Sequence, residues 1–484
     1  MKTYSLSLSL FVLLAAFSAL LAPVRGQIDP VHDTLRGSEA LAQPPDYFRP
    51  RGFPPEAVGY SIAVLSGGTA PPKWIEHQAL TPFNPASTIK LVTTRAALGL
   101  LGADYRFNTQ LWMTGQLRGG KLSGALYLKG GGDPKLVIED LSEIVRRLRA
   151  LGVQDISGDW VLDGSRFSEV PPKPDAFDGQ GLKPYNVVPH AAMLNFKAVQ
   201  VSVAPNGNKA AISLLPALDG VAIKGGVRLV PGGCEKNQIA VSQSGPQAVA
   251  VSGRMGKLCP RADFYVSPFG HVDYAYRLFS AAWRAAGGTI KARVKSAPTP
   301  AGARLLLDWG SSRSLLDVVA DINKLSNNPM ARMVFLNISA QTGGPGTRAD
   351  AEERVRTWLA SRNLTFPELV LDNGSGLSRR ERIAPRSMTL LLLDGLSGAD
   401  PTEWINTLPL AGIEGTVKRR LGMSPALGRA WIKTGTLEGV KGYAGYVRTL
   451  QGRWVAFTIF VNHPRAHEAA PALDQLVTWM AETL

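Results

Sequence analysis

The chain has few cysteines and histidines, 2 and 6 among 484 residues. A protein-bound transition metal usually needs three or four closely spaced Cys or His ligands, and neither cysteine has such neighbours. We therefore expect no metal and no other cofactor. The sequence also lacks internal repeats, low-complexity tracts and nucleic-acid-binding motifs, which argues against a solenoid fold and against a nucleic acid as partner.

Acidic residues are outnumbered, since 38 Asp and Glu stand against 53 Lys and Arg, and the net charge is +15. Such a surplus of positive charge attracts polyanions. Peripheral association with an anionic cell envelope is one interpretation. Basic residues that only solvate the surface are the alternative.

Long apolar runs are absent after the N-terminus. Residues 6–21 are apolar, Lys2 precedes them, and a polar chain follows Gly26. This pattern is typical of a cleaved secretory signal peptide (residues 1–26), and the run is shorter than the roughly 20 residues that a membrane-spanning helix needs. We expect an exported, periplasmic protein with no transmembrane span in its mature chain, and a retained membrane anchor is the alternative.

The two cysteines suit an oxidising compartment. Cys234 and Cys259 lie 25 positions apart. A disulfide that closes such a loop contributes roughly 3 kcal/mol in the chain-entropy model. Two unpaired buried thiols are the alternative.

The length and the hydrophobic content of 45% indicate a globular protein of two or three domains. Strand-like runs at 61–65 and 74–80 precede a helix, and a pattern of helices and strands returns in 264–484. The intervening residues 98–263 are rich in short strands and Gly turns. We therefore expect a discontinuous α/β (α+β) domain formed by 27–97 and 264–484. The inserted β-rich region is expected to be one domain with a second nested in it.

Ser87 and Lys90 have the Ser-x-x-Lys spacing at a predicted helix start. Residues three apart lie on one helix face, so the Lys90 amine can sit beside the Ser87 hydroxyl. A serine becomes a useful nucleophile when a neighbouring base takes its proton, and a lysine with a lowered pKa can be that base. Alone the spacing is weak, because it arises by chance roughly once in a chain of this length.

Two further clusters strengthen the signal. Ser326 and Asn328 form Ser-x-Asn at a predicted helix–helix junction, and Lys433-Thr434-Gly435-Thr436 forms Lys-Thr-Gly on a predicted strand. Each cluster alone is an ordinary cap or strand end. All three in this order, each on its expected element, indicate a serine acyl-transfer site.

The residue types fit distinct steps of acyl transfer. Ser87 is the predicted nucleophile, Lys90 its general base, and Ser326 a proton relay to the leaving amine. Asn328 is predicted to hold the substrate amide and Lys90. Lys433 is predicted to lower the pKa of Lys90 by like-charge repulsion and to attract an anionic substrate.

The residues after Lys433 are predicted to bind substrate. The hydroxyls of Thr434 and Thr436 can hold a substrate carboxylate, and Gly435 can let the substrate backbone approach the strand. Backbone N–H groups of Ser87 and Thr436 are expected to form the oxyanion hole. The histidines include no obvious partner for Ser87, so no Ser-His-Asp triad is indicated.

With these motifs the sequence resembles the penicillin-binding D-alanyl-D-alanine carboxypeptidase/endopeptidases of low molecular mass, class C. These enzymes carry domains inserted between the Ser-x-x-Lys and Ser-x-Asn motifs. The likeness covers nearly the whole mature chain. Besides the strand 433–437 it includes three further segments, 131–134, 372–378 and 408–412. The long gap between Ser87 and Ser326 separates this group from β-lactamases.

The resemblance implies a β-lactamase-like serine DD-peptidase fold with an antiparallel sheet and helices. It implies cleavage of peptidoglycan stem peptides ending in D-Ala-D-Ala, DD-endopeptidase action on cross-links, and inhibition by β-lactam antibiotics through acylation of Ser87. In this family the insert can present an acidic residue to the amine of the stem-peptide side chain. Asp163 is the candidate, with a turn-forming role as the alternative. Arg332 departs from the family, because many relatives have an acidic residue there.

Two other functions are weighed against this one. A β-lactamase needs a general base for the hydrolysis of its acyl-enzyme, and no suitably placed Glu is identifiable in the sequence. A catalytically silent murein-binding envelope protein is disfavoured because Ser87, Lys90, Ser326 and Asn328 are all present.

Overall fold

The computed structural model describes residues 41–67, 70–168, 172–398 and 400–484, so the expected signal peptide 1–26 lies outside the described residues. In chain order the strands are β1 (Val58–Val64), β2 (Lys73–His77), β3 (Arg106–Met113), β4 (Gln116–Arg118), β5 (Lys121–Ser123), β6 (Ala125–Gly130), β7 (Asp155–Ile156), β8 (Asp159–Asp163), β9 (Val199–Asn206), β10 (Lys209–Leu215), β11 (Ala222–Val230), β12 (Gln238–Gln243), β13 (Ala248–Gly256), β14 (Ala262–Val266), β15 (Thr289–Ile290), β16 (Arg293–Ser296), β17 (Arg304–Ser314), β18 (Ala430–Leu437), β19 (Val440–Arg448) and β20 (Trp454–Asn462). The helices are α1 (Lys90–Leu101), α2 (Ile138–Ala150), α3 (His271–Ala285), α4 (Leu315–Leu325), α5 (Asn328–Ser339), α6 (Arg348–Ser361), α7 (Pro385–Leu396), α8 (Pro401–Asn406) and α9 (Ala470–Thr483). Within these ranges we find no helix with the length and apolar character that a bilayer span requires.

A five-stranded antiparallel sheet joins the two ends of the chain, in the order β18-β19-β20-β1-β2. Strand β1 pairs with β20 along its full length, from Val58 opposite Val461 to Val64 opposite Val455. The seven central residues of β20 are all buried, which means that both faces of the sheet are covered. The expectation that the first and last segments build one sheet is therefore correct.

Apolar layers cover the two faces of this sheet. On one face α9 packs through Leu473, Leu476 and Met480 in a cluster that also holds sheet residues. The other face carries a larger cluster with residues of α1, α4, α5, α6 and α7. Every residue of α5 is buried, as expected for a helix at the centre of such a layer. The start of α5, where Asn328 lies, is therefore held on all sides.

The insert extends further along the chain than expected. Strand β17 pairs with β3, and β15 and β16 pair with β7 and β8, so strands after residue 263 complete sheets that begin before it. Helix α3 packs Phe279 and Trp283 into the same cluster as Trp160 of β8. The inserted region therefore runs from Arg106 to Ser314, and the boundary expected at residue 263 is wrong. The sequence pattern showed α3 as a helix but could not show which sheet the later strands complete.

Two small sheets are nested inside the insert. Strands β10-β9-β14 form one and β11-β13-β12 the other, all from the segment between β8 and α3. Within the second sheet a turn with Gly245 at φ 76° separates β12 from β13. Cys234, in the turn after β11, forms a disulfide with Cys259, which follows β13.

One side chain of α5 connects the insert to the domain built around the five-stranded sheet. Asn337 is fully buried and donates from Nδ2 to the Gly132 carbonyl at 2.8 Å, while its Oδ1 accepts from Arg166 Nε at 2.9 Å. Gly132 has φ 79°, and a Cβ there would lie 2.5 Å from Asn337 Oδ1. The glycines of the segment 131–134 therefore have a packing role at the domain junction.

We expect Asp133→Asn to change the pH dependence of stability. Burial raises the pKa of Asp133 from 3.8 to about 6, even though its Oδ1 accepts the Lys135 N–H. The folded state therefore binds this proton more tightly than the unfolded state. The stabilisation that the protonated Asp133 gives to the folded state is present below about pH 4 and is lost as pH rises through 6. Because asparagine cannot ionise, the free energy of unfolding of the variant relative to wild type should rise by roughly 2 kcal/mol between pH 4 and 6.

Urea denaturation from pH 4 to 8 measures this difference. Asp308→Asn, at an exposed position on β17, is the matched control for replacing a carboxylate with an amide. The prediction would be contradicted if the difference in free energy of unfolding between Asp133→Asn and wild type did not change with pH.

Candidate active site

The predicted nucleophile lies in a short 3-10 turn, Ala86–Ile89, that continues into α1. Asn84 fixes this turn: its Oδ1 accepts the Ala86 N–H at 2.9 Å and its Nδ2 donates to the Ser378 carbonyl at 3.0 Å. Asn462 of β20 in turn holds the Asn84 backbone through both its N–H and its carbonyl. Ala86 has φ 45°, a strained conformation that such ties can maintain. The Ser87 hydroxyl is therefore presented by a rigid turn.

Lys90 points its amine at the Ser87 hydroxyl from a fully buried position. The distance from Lys90 Nζ to Ser87 Oγ is 3.0 Å, and Nζ also donates to Asn328 Oδ1 at 2.7 Å and to the Ser375 carbonyl. Burial lowers the pKa of Lys90 well below its usual value, and the positive charge of Lys433 lowers it further. The like-charge effect expected from Lys433 is thus present, but it is second to burial.

The Ser-x-Asn motif forms the junction between α4 and α5, as the sequence predicts. Ser326 ends α4 in the left-handed conformation, φ 57°, which is uncommon for a residue other than glycine. The Asn327 side chain caps α5 by accepting the Met330 N–H at 3.1 Å. Asn328 is thereby placed with its Oδ1 at Lys90.

The Lys-Thr-Gly motif lies on β18 at the edge of the central sheet. Lys433 is fully buried, and its Nζ donates to Ser326 Oγ at 2.8 Å and to the Thr434 carbonyl at 2.9 Å. Burial lowers the pKa of Lys433 to about 7. Thr434 donates its hydroxyl to Thr416 at 2.9 Å, and the Thr436 hydroxyl accepts from Lys441 at 3.0 Å. Three distant parts of the chain therefore meet in one cleft.

The three motifs in this geometry match a known protein family. The sequence matches the D-Ala-D-Ala carboxypeptidase 3 (S13) family over residues 59–483. The chain belongs to this family. It is a serine peptidase, and the resemblance to class C penicillin-binding carboxypeptidases is confirmed.

Relatives of this S13 peptidase cover most of its length. The D-alanyl-D-alanine carboxypeptidase of Actinomadura sp. (strain R39) is 30% identical over 426 residues, which are 82% of this chain and 77% of the relative. The D-alanyl-D-alanine carboxypeptidase DacB of Haemophilus influenzae is 28% identical over 409 residues, 80% and 83% of the two chains. Among solved structures, penicillin binding protein 4 (dacB) of H. influenzae has a TM-score of 0.69 at 23% identity and covers 88% of this chain and 98% of its own. The expected α/β (α+β) fold is thereby confirmed.

Gly435 has a packing role in addition to the substrate-binding role predicted for it. A Cβ at this position would lie 2.6 Å from the Pro85 carbonyl oxygen and 3.2 Å from Thr88 Cγ2. The absent side chain therefore lets β18 pack directly on the turn that carries Ser87. In this S13 peptidase Gly435 thus allows close packing between two sides of the cleft, the strand β18 and the turn that carries Ser87.

Asp163 is held inside the insert and is not presented to the cleft. Both of its carboxylate oxygens are engaged: one accepts the Ser165 N–H at 2.9 Å, and the other accepts the Thr299 N–H at 2.7 Å and hydroxyl at 2.6 Å. Burial acts to raise the pKa of Asp163, but these hydrogen bonds outweigh it and hold the pKa below its usual value. The structure supports the turn-forming alternative, and the binding role expected for Asp163 is corrected. Local spacing could not show that both oxygens would find partners within the insert.

Several groups of the site do not belong to the three sequence motifs. The Ser375 carbonyl accepts from Lys90, and the Tyr185 carbonyl of the insert accepts from Asn328 Nδ2 at 3.3 Å. Backbone acceptors leave no residue-type signature, although the Gly-rich segment 372–378 around Ser375 was a visible signal. Two buried charged residues, Arg332 and Glu381, also act on Lys90, lowering and raising its pKa respectively.

A cavity of about 270 Å³ lies beside Ser375, between the insert and the peptidase domain. It shares the walls Arg332 and Asn373 with the cleft, since both residues hydrogen-bond Ser375. Its lining is largely apolar and carries more positive than negative charge. The cationic side chains of the lining are Lys173, Arg332, Arg348, Arg379 and Arg380, with Asp372 opposite in sign. Across the ranges described above, no three His, Cys, Asp or Glu side chains come together as metal ligands would.

We predict that Gly435→Ala disables acylation without unfolding the protein. The added Cβ must displace the Pro85 carbonyl and with it the turn that carries Ser87. A misplacement of about 1 Å costs roughly 100-fold in rate, so the second-order rate of penicillin acylation should fall by about that factor.

Stopped-flow labelling with fluorescent penicillin measures the rate, and circular dichroism checks the fold. Gly310→Ala is the matched control, because Gly310 also lies in a strand and a Cβ there meets nothing within 4 Å. Equal rates for the two variants would contradict the packing role of Gly435.

Proposed function

We propose that this chain is a serine-type D-Ala-D-Ala carboxypeptidase that cleaves peptidoglycan stem peptides through an acyl-enzyme on Ser87. The observation that carries the proposal is the fully buried Lys90 amine, 3.0 Å from the Ser87 hydroxyl. Burial disfavours the ammonium form of Lys90 and so favours a neutral amine that can accept a proton. A Ser–Lys pair then performs the activation that histidine performs in a triad.

Acylation follows from the positions of the cleft residues. Ser87 Oγ attacks the carbonyl carbon of the penultimate D-Ala while its proton passes to Lys90 Nζ. The N–H groups of Ser87 and Thr436 stabilise the oxyanion, since β18 lies directly against the Ser87 turn at Gly435. The C–N bond to the terminal D-Ala then breaks, and the leaving amine takes a proton through Ser326. Water later hydrolyses the ester and restores Ser87.

Ser326 can pass that proton because its hydroxyl contacts Lys433 and can also reach the leaving amine. Its hydroxyl accepts from Lys433 Nζ at 2.8 Å, so its own O–H can turn toward the leaving amine. Asn328 holds Lys90 with Oδ1 and turns Nδ2 toward the insert, where it can also donate to the substrate amide. These contacts support the proposal that Ser326 is the relay and Asn328 the positioning group.

The terminal carboxylate of the substrate is proposed to lie along β18. Protonated Lys433 supplies the positive charge, and the hydroxyls of Thr434 and Thr436 follow it on the same strand. A cross-link that a DD-endopeptidase cleaves also has a carboxylate next to its leaving nitrogen. The same strand therefore suits both reactions, and we propose that this protein performs both.

The cavity beside Ser375 is proposed to receive the side chain of the stem peptide. Its cationic rim suits a side chain that ends in a carboxylate, and its apolar lining suits the methylene groups that lead there. This replaces the assignment to Asp163.

β-Lactam antibiotics and an extracytoplasmic site of action belong to the same proposal. A solved structure of H. influenzae penicillin binding protein 4 is described as complexed with a β-lactam, and a strained amide in this cleft would acylate Ser87 in the same way. The substrate lies outside the cytoplasm, which agrees with the signal peptide expected at residues 1–26. The net charge of +15 favours peripheral association with an anionic envelope.

Ser87→Ala should abolish both covalent labelling and D-Ala release. Purified protein is incubated with fluorescent penicillin and with a diacetyl-Lys-D-Ala-D-Ala peptide, and intact mass spectrometry locates the adduct. A stable adduct on Ser87 with D-Ala release supports the peptidase. Fast turnover of the label favours a β-lactamase, and absence of label in the wild type favours a silent murein-binding protein.

The lowered pKa of Lys433 predicts that substrate binding depends on pH. Because its pKa is about 7, the ammonium that attracts the carboxylate is lost as pH rises above 7. KM for the peptide should then increase about tenfold per pH unit above that value. Lys433→Gln should give a high KM without this dependence, and the exposed Lys121→Gln should behave as wild type. A rise of KM above pH 7 that persists in Lys433→Gln would assign the titration to another group.

A further inference from the structure

A buried carboxylate lies close behind the catalytic lysine. Glu381 follows the Gly-rich segment and is fully buried. Its Oε1 accepts three backbone N–H groups, from Gly374 at 2.9 Å, Asn373 at 3.1 Å and Asp372 at 3.4 Å. Its Oε2 is buried and has no hydrogen-bond partner among the described residues. An uncompensated buried carboxylate oxygen is costly, so a residue of this kind calls for a functional explanation.

The backbone that Glu381 holds leads directly to Lys90. The three N–H groups belong to the turn that ends at Ser375, whose carbonyl accepts from Lys90 Nζ. Asn373 Oδ1 closes this turn by accepting the Ser375 N–H at 3.0 Å and the Ser375 hydroxyl at 2.6 Å. Through this turn, Glu381 fixes one of the acceptors that orient the Lys90 amine.

Arg332 approaches the same turn from the other side. It lies on α5, is 9% exposed, and donates from Nε to Ser375 Oγ at 3.3 Å and from Nη1 to the Val187 carbonyl at 3.4 Å. No carboxylate lies within salt-bridge distance of it in the part of the chain that the structure describes. Arg332 and Glu381 therefore place opposite charges around Ser375 without neutralising each other in a direct pair.

Charged groups face this region from each neighbouring element. The pKa of Lys90 is shifted by the charges of Lys433 on β18, Arg332 on α5 and Glu381. The pKa of Arg332 is shifted by the charges of Asp372 and Arg348. Burial raises the pKa of Glu381, and its three backbone hydrogen bonds oppose that rise. In its ionised form Glu381 favours the protonated form of Lys90, whereas the positive charges of Arg332 and Lys433 favour the neutral form.

We propose that Glu381 and Arg332 are positioning residues for Lys90 that jointly orient its amine through Ser375 and place opposite charges on the two sides of that contact. The inference rests on the proposed function, in which neutral Lys90 takes the Ser87 proton. It adds that the balance of two buried charges determines the pH at which Lys90 becomes neutral. Neither residue touches the reacting atoms, so each acts through Ser375 and Lys90.

The test is the pH profile of Ser87 acylation by penicillin. Glu381→Gln keeps an acceptor oxygen for the turn and removes the charge, so the acid limb of the profile should move to lower pH. Arg332→Gln removes the opposing charge, so the limb should move to higher pH. Each shift is expected to be roughly half a pH unit or more.

Three further variants separate charge from packing. Arg332→Lys keeps the charge and should leave the limb near its wild-type position. Glu381→Gln combined with Arg332→Gln should return the limb toward wild type. Glu381→Ala removes the acceptor as well and should lower the maximum rate at every pH, because the Ser375 turn loses its support. Thermal unfolding of each variant confirms that it is folded.

The outcomes distinguish this inference from the proposed function. Without Ser87-dependent acylation in the wild type, the proposed function itself fails. With wild-type acylation intact, limbs that stay in place or that shift in the same direction in the two Gln variants would overturn the inference. Should Glu381→Gln fail to fold, Arg332→Gln against Arg332→Lys decides the charge effect alone.

Discussion

The structure depends on holding one amine, that of Lys90, out of water beside the Ser87 hydroxyl. The amine is fully buried, so its protonated form is disfavoured, but it still needs hydrogen-bond partners. Those partners come from three separate parts of the chain: Ser87 in the preceding turn, Asn328 at the start of α5, and the Ser375 carbonyl. The fold can be understood as a means of bringing these acceptors to one point.

The same constraint explains the tight packing around the nucleophile turn. Gly376 and Gly435 both face it, and a Cβ on either would meet the Ala86 or the Pro85 carbonyl. Asn84 and Asn462 tie the turn to the sheet as well. A site whose base is one hydrogen bond from its nucleophile tolerates little displacement, and these contacts limit it.

Local patterns in the sequence could predict much of this arrangement. The spacing of Ser87 and Lys90, the junction at Ser326 and Asn328, and the strand at Lys433 are each short-range features, and each lies on its expected element. The insert boundary could not be predicted in this way, because β17 completes a sheet that begins about 200 residues earlier at β3. Pairing over such a distance is a property of the whole fold.

Two of the predicted site residues show the same limit in the site itself. The role of Gly435 depends on the position of the Pro85 carbonyl, and that of Asp163 on a loop that carries Thr299. The Ser375 carbonyl is a backbone atom and has no residue-type signature at all. Residue types therefore indicate the chemistry of a site, whereas its backbone acceptors and buried charges become visible only once the chain is folded.

Helix α5 connects this chemistry to the insert. Asn328 at its start holds Lys90, Arg332 contacts Ser375, and Asn337 near its end binds Gly132 and Arg166 of the insert. Since every residue of α5 is buried, the helix cannot shift at one end without moving its surroundings at the other. The insert also contacts the site directly, because the Tyr185 carbonyl accepts from Asn328. The long insertion between the first two motifs is therefore part of what positions the base, as well as a wall of the neighbouring cavity.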